Sequence, residues 1–137
     1  MQMSARVLLD TDMLSLLRRG HESVTQHARD YIITYGSLAF TELTWYEVVR
    51  GYRAIGAHRQ LEVFEAFCRR CEVLPLDHNS LNSAANIYAD LRQRGKLIGE
   101  VDILIAGIAL AYGMGVATRN VEHFSRIADI RVEDWTV

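Results

Sequence analysis

The chain has 137 residues, half of them hydrophobic, 23% charged, with one proline (Pro75) and a net charge of −2. That size suits one domain, over 1–137, whose core needs no disulfide or metal, and the composition excludes disordered, collagen-like and low-complexity classes. The slight negative charge excludes a protein that coats nucleic acid by bulk charge, but fourteen Arg against the single Lys96 leave room for local bidentate contacts to phosphate or carboxylate.

Val7-Leu8-Leu9 is a short apolar run ending at Asp10. Asp10-Thr11-Asp12 is a capping signal ahead of Met13, Leu14, Leu16 and Leu17. A buried strand running straight into a helix is predicted. Residues 21–31 read as a helix, and 32–40 as containing a strand at Gly36 to Phe40. Residues 41–54 and 60–70 read as helices, the second with Leu61, Phe64 and Phe67 on one face. Glu72 to Leu76 is a third strand, and its Pro75 marks an edge or a strand end.

Ser80 to Arg94 carries Leu81, Ala84, Ala85, Tyr88 and Leu91 at helical spacing, and Gly95 ends it. Val101 to Tyr112 is apolar nearly all round, so it reads as a buried helix that Gly113 stops. A short buried strand at 115–118, a helical segment at 121–127 and a last strand at 130–132 complete the chain. Alternating strands and helices imply an α/β sandwich, with a short parallel sheet covered on both faces. Ligands of such sheets bind outside the carboxyl ends of the strands.

The longest apolar run, Ile103 to Ala117, has 15 residues, short of the ~20 that a membrane-spanning helix needs. Only three apolar residues follow Arg6 before Asp10, so no leader is expected at the N-terminus and the cytoplasm is the expected location. Cys68 and Cys71 form one CxxC with no second ligand pair, and they read as packing thiols in a reducing compartment. The five histidines are scattered, and none pairs with a Cys or Ser at a spacing that suggests a triad.

The carboxylates carry more information. Asp10 ends the first strand, and Thr118-Arg119-Asn120 follow the strand at 115–117, so both lie at the carboxyl edge. Asp102 opens the buried helix that leads into that strand, where a carboxylate also complements the helix dipole. Glu47 stands among Trp45, Tyr46, Val48 and Val49, on a stripe with Leu43 and Gly51 that reads as inward-facing. A buried carboxylate is costly unless a cation is near. Arg50 or Arg53 is one candidate, and a divalent cation is the other. Asp10, Glu47 and Asp102, with Asn120 and Thr118 as neutral oxygen donors, form a hard-oxygen set that favours Mg²⁺ or Mn²⁺ over zinc.

At these residues the chain resembles the PIN-domain ribonucleases, and among them the VapC-type toxins. Leu8-Leu9-Asp10-Thr11-Asp12 resembles the family's strand ending in Asp-Thr, and Thr44 to Gly51 its Thr-x-x-Glu-x-x-x-Gly helix. Ile98 to Ala106 is similar to its Gly-x-x-Asp-x-x-Ile-Ala signature. Ala117-Thr118-Arg119-Asn120 with Phe124 resembles Thr-x-Asn/Asp-x-x-x-Phe, and residues 130–135 resemble its closing strand and Trp. The resemblance spans the whole chain.

It implies a Mg²⁺-dependent endoribonuclease, with Mn²⁺ as a substitute, that hydrolyses RNA phosphodiesters with a metal-activated water. Asp10, Glu47 and Asp102 match the metal-binding acids, and Asn120 stands where many relatives carry Asp, which weakens a second metal site. Thr11 and Thr118 are expected to support ligands or phosphate by hydrogen bonds, and Glu100 to stand in an outer shell. Arg50, Arg53 and Arg119 are the expected RNA contacts, making binding salt-dependent. Trp45 and Tyr46 serve either base stacking or packing. A VapB-type antitoxin, a tRNA or ribosomal RNA substrate and a homodimer are the implied partners, with apolar positions around Trp45, Tyr52 and Phe64 available for protein contacts.

Other readings compete. A catalytically inert PIN-like module would bind RNA or protein without cutting. Asp10-Thr11-Asp12-Met13-Leu14 also resembles the opening motif of haloacid-dehalogenase-type phosphatases, although the chain is short for that fold. A receiver-type signalling domain would use Asp77 but lacks a Lys after a late strand.

Overall fold

The computed structural model describes residues 6–137. Met1–Ala5, in the stretch expected to hold no leader, lie outside the described residues. In chain order the elements are β1 (Val7–Leu9), α1 (Thr11–Arg18), α2 (Glu22–Tyr35), β2 (Ala39–Thr41), α3 (Glu42–Ala54) and α4 (His58–Cys68). Then follow β3 (Glu72–Leu74), α5 (His78–Gln93), α6 (Glu100–Ala111), β4 (Gly115–Ala117), α7 (Val121–Phe124) and β5 (Val132–Glu133). The strands form two parallel ladders, β1-β4-β5 and β2-β3, which meet where β1 packs beside β2.

Strand alternation divides the core. Leu8 and Ala39 point to the side covered by α5 and α6, with Leu91, Ile103, Ile108 and Phe124. Val7, Leu9 and Phe40 point to the opposite side, with Met13, Leu14, Val24, Val49 and Phe64 from α1–α4. Burial on both faces explains why the strands read as unbroken apolar runs. α5 and α6 approach closely at Gly107, where a Cβ would stand 2.7 Å from the Ser80 carbonyl oxygen and 2.8 Å from the Ala84 Cβ.

Several boundaries differ from the sequence expectation. α2 runs through Ile32 and Ile33 to Tyr35, and Gly36 closes it at φ 92°. The sequence reading ends this helix at 31, but Val24, Ala28 and Tyr31 bury one helical face and the next turn continues with Ile33 left 83% exposed. β2 therefore starts at Ala39. β3 stops before Pro75, and it has β2 as its one neighbour in its ladder. α4 begins at His58, α7 ends at Phe124, and the last strand is Val132–Glu133. Phe64, expected near a protein-contact surface, is wholly buried between Phe40, Tyr52 and Phe67. Among the described residues no helix is long and apolar enough to cross a membrane.

Candidate active site

Asp10 leaves the carboxyl end of β1 and caps α1, its Oδ1 accepting from the Met13 amide at 2.9 Å. It is almost fully buried, at 3% exposure. Burial pushes its carboxyl up to about 6, and the like charges of Asp12 and Asp102 add to that. Hydrogen bonds from the Thr118 hydroxyl and the Met13 amide oppose the rise. Thr118 is itself fully buried, and its Oγ1 also accepts from the Asn120 amide at 2.9 Å. It thus fixes Asp10 and the turn that carries Asn120, and it does not present its hydroxyl to solvent.

Glu47 projects from the middle of α3. Its Oε1 accepts from Thr11 Oγ1 at 2.6 Å, and Thr11 Oγ1 lies 3.1 Å from Thr44 Oγ1. Leu43 packs against the core, but Glu47 is half-buried and Gly51 exposed, so the stripe leaves the core after Leu43 and walls a cleft. Arg50 stands 3.9 Å from Glu47, mostly exposed, with its guanidinium over the Tyr46 ring. Such a contact offsets little of a carboxylate's desolvation. Asp102 sits in the first turn of α6, whose N-cap Gly99 provides no side-chain cap. Burial raises its carboxyl, Glu47 and Asp12 raise it further, and His123 pulls it down.

These acids meet at the carboxyl edge of the sheet. A cavity of about 140 Å³ is lined by Asp10, Thr11, Asp12, Glu47, Val101, Asp102, Ile105 and Asn120. Four carboxylates from three helical segments thus share one small space. Glu100 is exposed and does not line it. Arg53 and Arg119 are exposed and also lie off its wall. Trp45 packs against the core, whereas Tyr46 is 55% exposed.

The sequence reading missed two participants. Asp12 lines the cavity, and its signal was the Asp10-x-Asp12 spacing, which an acidic first turn explains equally well. His123, in α7, is exposed and off the cavity wall, but it lies near enough to Asp102 to favour that carboxylate's ionised form. Asp77, the receiver-type candidate, is the N-cap of α5, accepting from the Ser80 amide and hydroxyl at 2.8 Å each. Cys68 and Cys71 are free thiols at the edge of the core, both pushed up by burial, Cys71 to about 11. Thiols held up in this way are inert at neutral pH.

Among the described residues no three His, Cys, Asp or Glu side chains stand close enough to clasp an ion. The donor set nevertheless fits a hard, hydrated one. Mg²⁺ keeps several waters and takes one or two carboxylates directly, so acids spread around a polar cavity suit it. A +2 charge would also offset the burial, and the smaller like-charge repulsion, that raise Asp10 and Asp102.

Comparison with known proteins agrees with this geometry. Residues 7–130 match the PIN domain family. A tRNA(fMet)-specific endonuclease VapC of Salmonella typhimurium is 33% identical over 112 residues, which cover 80% of this chain and 85% of that protein. A namesake from Shigella flexneri is 28% identical over 96% of this chain and 98% of its own. The VapBC complex of Salmonella typhimurium, solved bound to DNA, contains a chain that superposes with a TM-score of 0.84 and 29% identity, covering 96% of this chain and 99% of that one. The chain belongs to the PIN-domain family, in its branch of VapC ribonucleases.

Proposed function

We propose that this chain is the toxin of a VapBC-type pair, a single nuclease domain over 1–137 that cleaves RNA with a divalent cation held by Asp10, Glu47 and Asp102. The observation that supports this most is the shared cavity. Three acids from separate sequence motifs, far apart in the chain, line it together with Asn120. Mg²⁺ or Mn²⁺ bound there supplies an activated water and charge stabilisation for phosphodiester hydrolysis.

The chain's own residues have distinct tasks. Asp10, fixed by Thr118 and the Met13 amide, offers a preset oxygen. Thr11 aims Glu47 into the cavity from across the α1–α3 gap. Asp102 stands opposite at the mouth of α6, half-buried, where burial raises its carboxyl, so that it can hold the cation or accept a proton from water. Asp12 adds negative charge at the rim, and Asn120 adds a neutral oxygen. Arg50, Arg53 and Arg119 are exposed cations available to RNA phosphates.

The named relatives act on tRNA(fMet), and the solved relative is a toxin–antitoxin complex. By analogy this chain takes tRNA or ribosomal RNA as substrate, a VapB-type antitoxin as inhibitor, a second copy as dimer partner, and the cytoplasm as its compartment. The test is incubation of antitoxin-free protein with total RNA. Discrete fragments with Mg²⁺ that disappear with EDTA support the proposal, and intact RNA from folded protein in both conditions overturns it.

A further inference from the structure

The acid cavity has a larger neighbour. A depression of about 420 Å³ shares Thr11 and Glu47 with it and runs on between α1 and α3. Ser15, Arg18 and Arg19 line one wall, and Gly51 and Tyr52 the other. Its charge is the reverse of the cavity's. Glu47, at the shared end, is its one carboxylate among the described residues, whereas two arginines lie further along.

Both arginines are held in place without a counter-ion. Arg18 Nη1 donates to Tyr52 Oη at 2.7 Å, and its guanidinium carbon lies 4.8 Å from the Phe64 ring centroid. Arg19 Nη2 donates to Ser15 Oγ at 2.8 Å. Neither pairs with a carboxylate among the described residues. Cations fixed by neutral partners keep their charge for an external anion, and the guanidinium fork suits phosphate.

Gly51 is an independent observation on the same groove. Glycine within a helix weakens it, so such a residue needs a reason. Backbone conformation is not the reason, because Gly51 is absent from the positive-φ residues. Packing is not the reason either, because a Cβ there meets no atom within 4 Å. Gly107 is the contrast, since its Cβ would strike α5. What a side chain at 51 would occupy is the groove itself.

We infer that the α1–α3 groove is the track for the RNA strand next to the cleaved bond, with Arg18 and Arg19 on backbone phosphates and Gly51 kept bare so that the strand lies against α3. This rests on the ribonuclease reading above, because a phosphodiester held in the acid cavity must continue into an adjoining cleft. The shared wall and the unpaired cations favour a polyanion over an apolar partner segment.

Bulk tRNA is the probe, with binding measured by filter retention and cleavage measured separately. The proteins are the wild type, Gly51→Ala, Gly51→Leu, Arg19→Gln and Arg29→Gln, the last removing an exposed charge from α2 outside the groove. Ala and Leu are better helix formers than Gly, so both Gly51 variants keep or raise the Tm, which separates lost binding from lost folding. Gly51→Leu weakens tRNA binding on the order of tenfold, and Gly51→Ala does so less. Arg19→Gln weakens it and lowers the salt-dependence slope by about one, while Arg29→Gln leaves both unchanged. Wild-type binding by Gly51→Leu and Arg19→Gln overturns the track, whether or not the protein cleaves. The expected binding pattern without any cleavage upholds the groove as an RNA-binding track and overturns the ribonuclease reading, and with it the place of the track beside a cleaved bond. Unchanged tRNA binding with loss of poly-glutamate binding in Gly51→Leu assigns the groove to an acidic polypeptide and also overturns the track.

Discussion

Thr11 Oγ1 donates to Glu47 Oε1 across 2.6 Å, joining the first turn of α1 to the middle of α3. Neither helix needs this bond to form. Its effect is to aim a half-buried carboxylate at the cavity that Asp10 and Asp102 also face. Thr11→Val keeps the side-chain shape but removes the donor. Cleavage by it should fall roughly tenfold, the scale of a lost hydrogen bond to a charged group, with a Tm close to that of the wild type. Thr11→Ser should recover most of the rate. Equal losses in the Val and Ser variants would mean that Thr11 acts through packing.

Asp10 makes the free protein's stability depend on pH. Its carboxyl rises on folding from 3.8 to about 6, so the native state holds the proton more tightly than the unfolded chain. The sign follows from linkage. The contribution is fully present below pH 4, and it is lost as pH rises from 4 to about 6. Its size is on the order of 2–3 kcal/mol, at ~1.4 kcal/mol per unit. Urea unfolding in EDTA should therefore show wild-type stability declining through that window relative to Asp10→Asn, and a constant difference would remove the assignment. Divalent-cation affinity should rise over the same window, because the ligand must be ionised to bind.

Gly107 allows a close approach of α5 and α6. A methyl group there would stand within 3 Å of the Ser80 carbonyl and of the Ala84 Cβ and amide, all rigid parts of α5. Gly107→Ala should cost about 1–3 kcal/mol, the usual penalty of overpacking, despite alanine's better helix propensity. A urea midpoint equal to that of the wild type would show that the helices separate freely.

The sheet and the three motif acids were legible because local chemistry and tertiary role coincide. Asp10 must end β1 and cap α1, and that same position places it at the carboxyl edge. Glu47 stood out as a carboxylate in apolar company, and Asp102 as an acid on the one helix without a polar face. Asp12 was obscured because an exposed acid in a first turn has a sufficient local explanation. The helix expected to end at 31 runs on through Ile32 and Ile33 to Tyr35, and the strand expected at Gly36 to Phe40 starts at Ala39, because how far α2 extends is decided by how it lies on the sheet, which spacing within the segment does not reveal. For the same reason Phe64 could not be told from a surface anchor. Its position depends on Phe40 and Tyr52, both distant in the chain. The groove between α1 and α3 was invisible, because it exists only once Arg18 and Gly51 face each other.

Asp102 tests the central claim most directly. RNA cleavage by the wild type and by Asp102→Asn, both with Mg²⁺ and both checked for folding by circular dichroism and Tm, separates chemistry from structure. Asn keeps the shape and removes a charge that burial and Glu47 already penalise, so the metal-free variant should be at least as stable as the wild type. Its cleavage rate should fall by about two orders of magnitude or more, the scale of a lost general base or metal ligand. Full activity in a folded Asp102→Asn protein would contradict the assignment of this cavity as the catalytic centre.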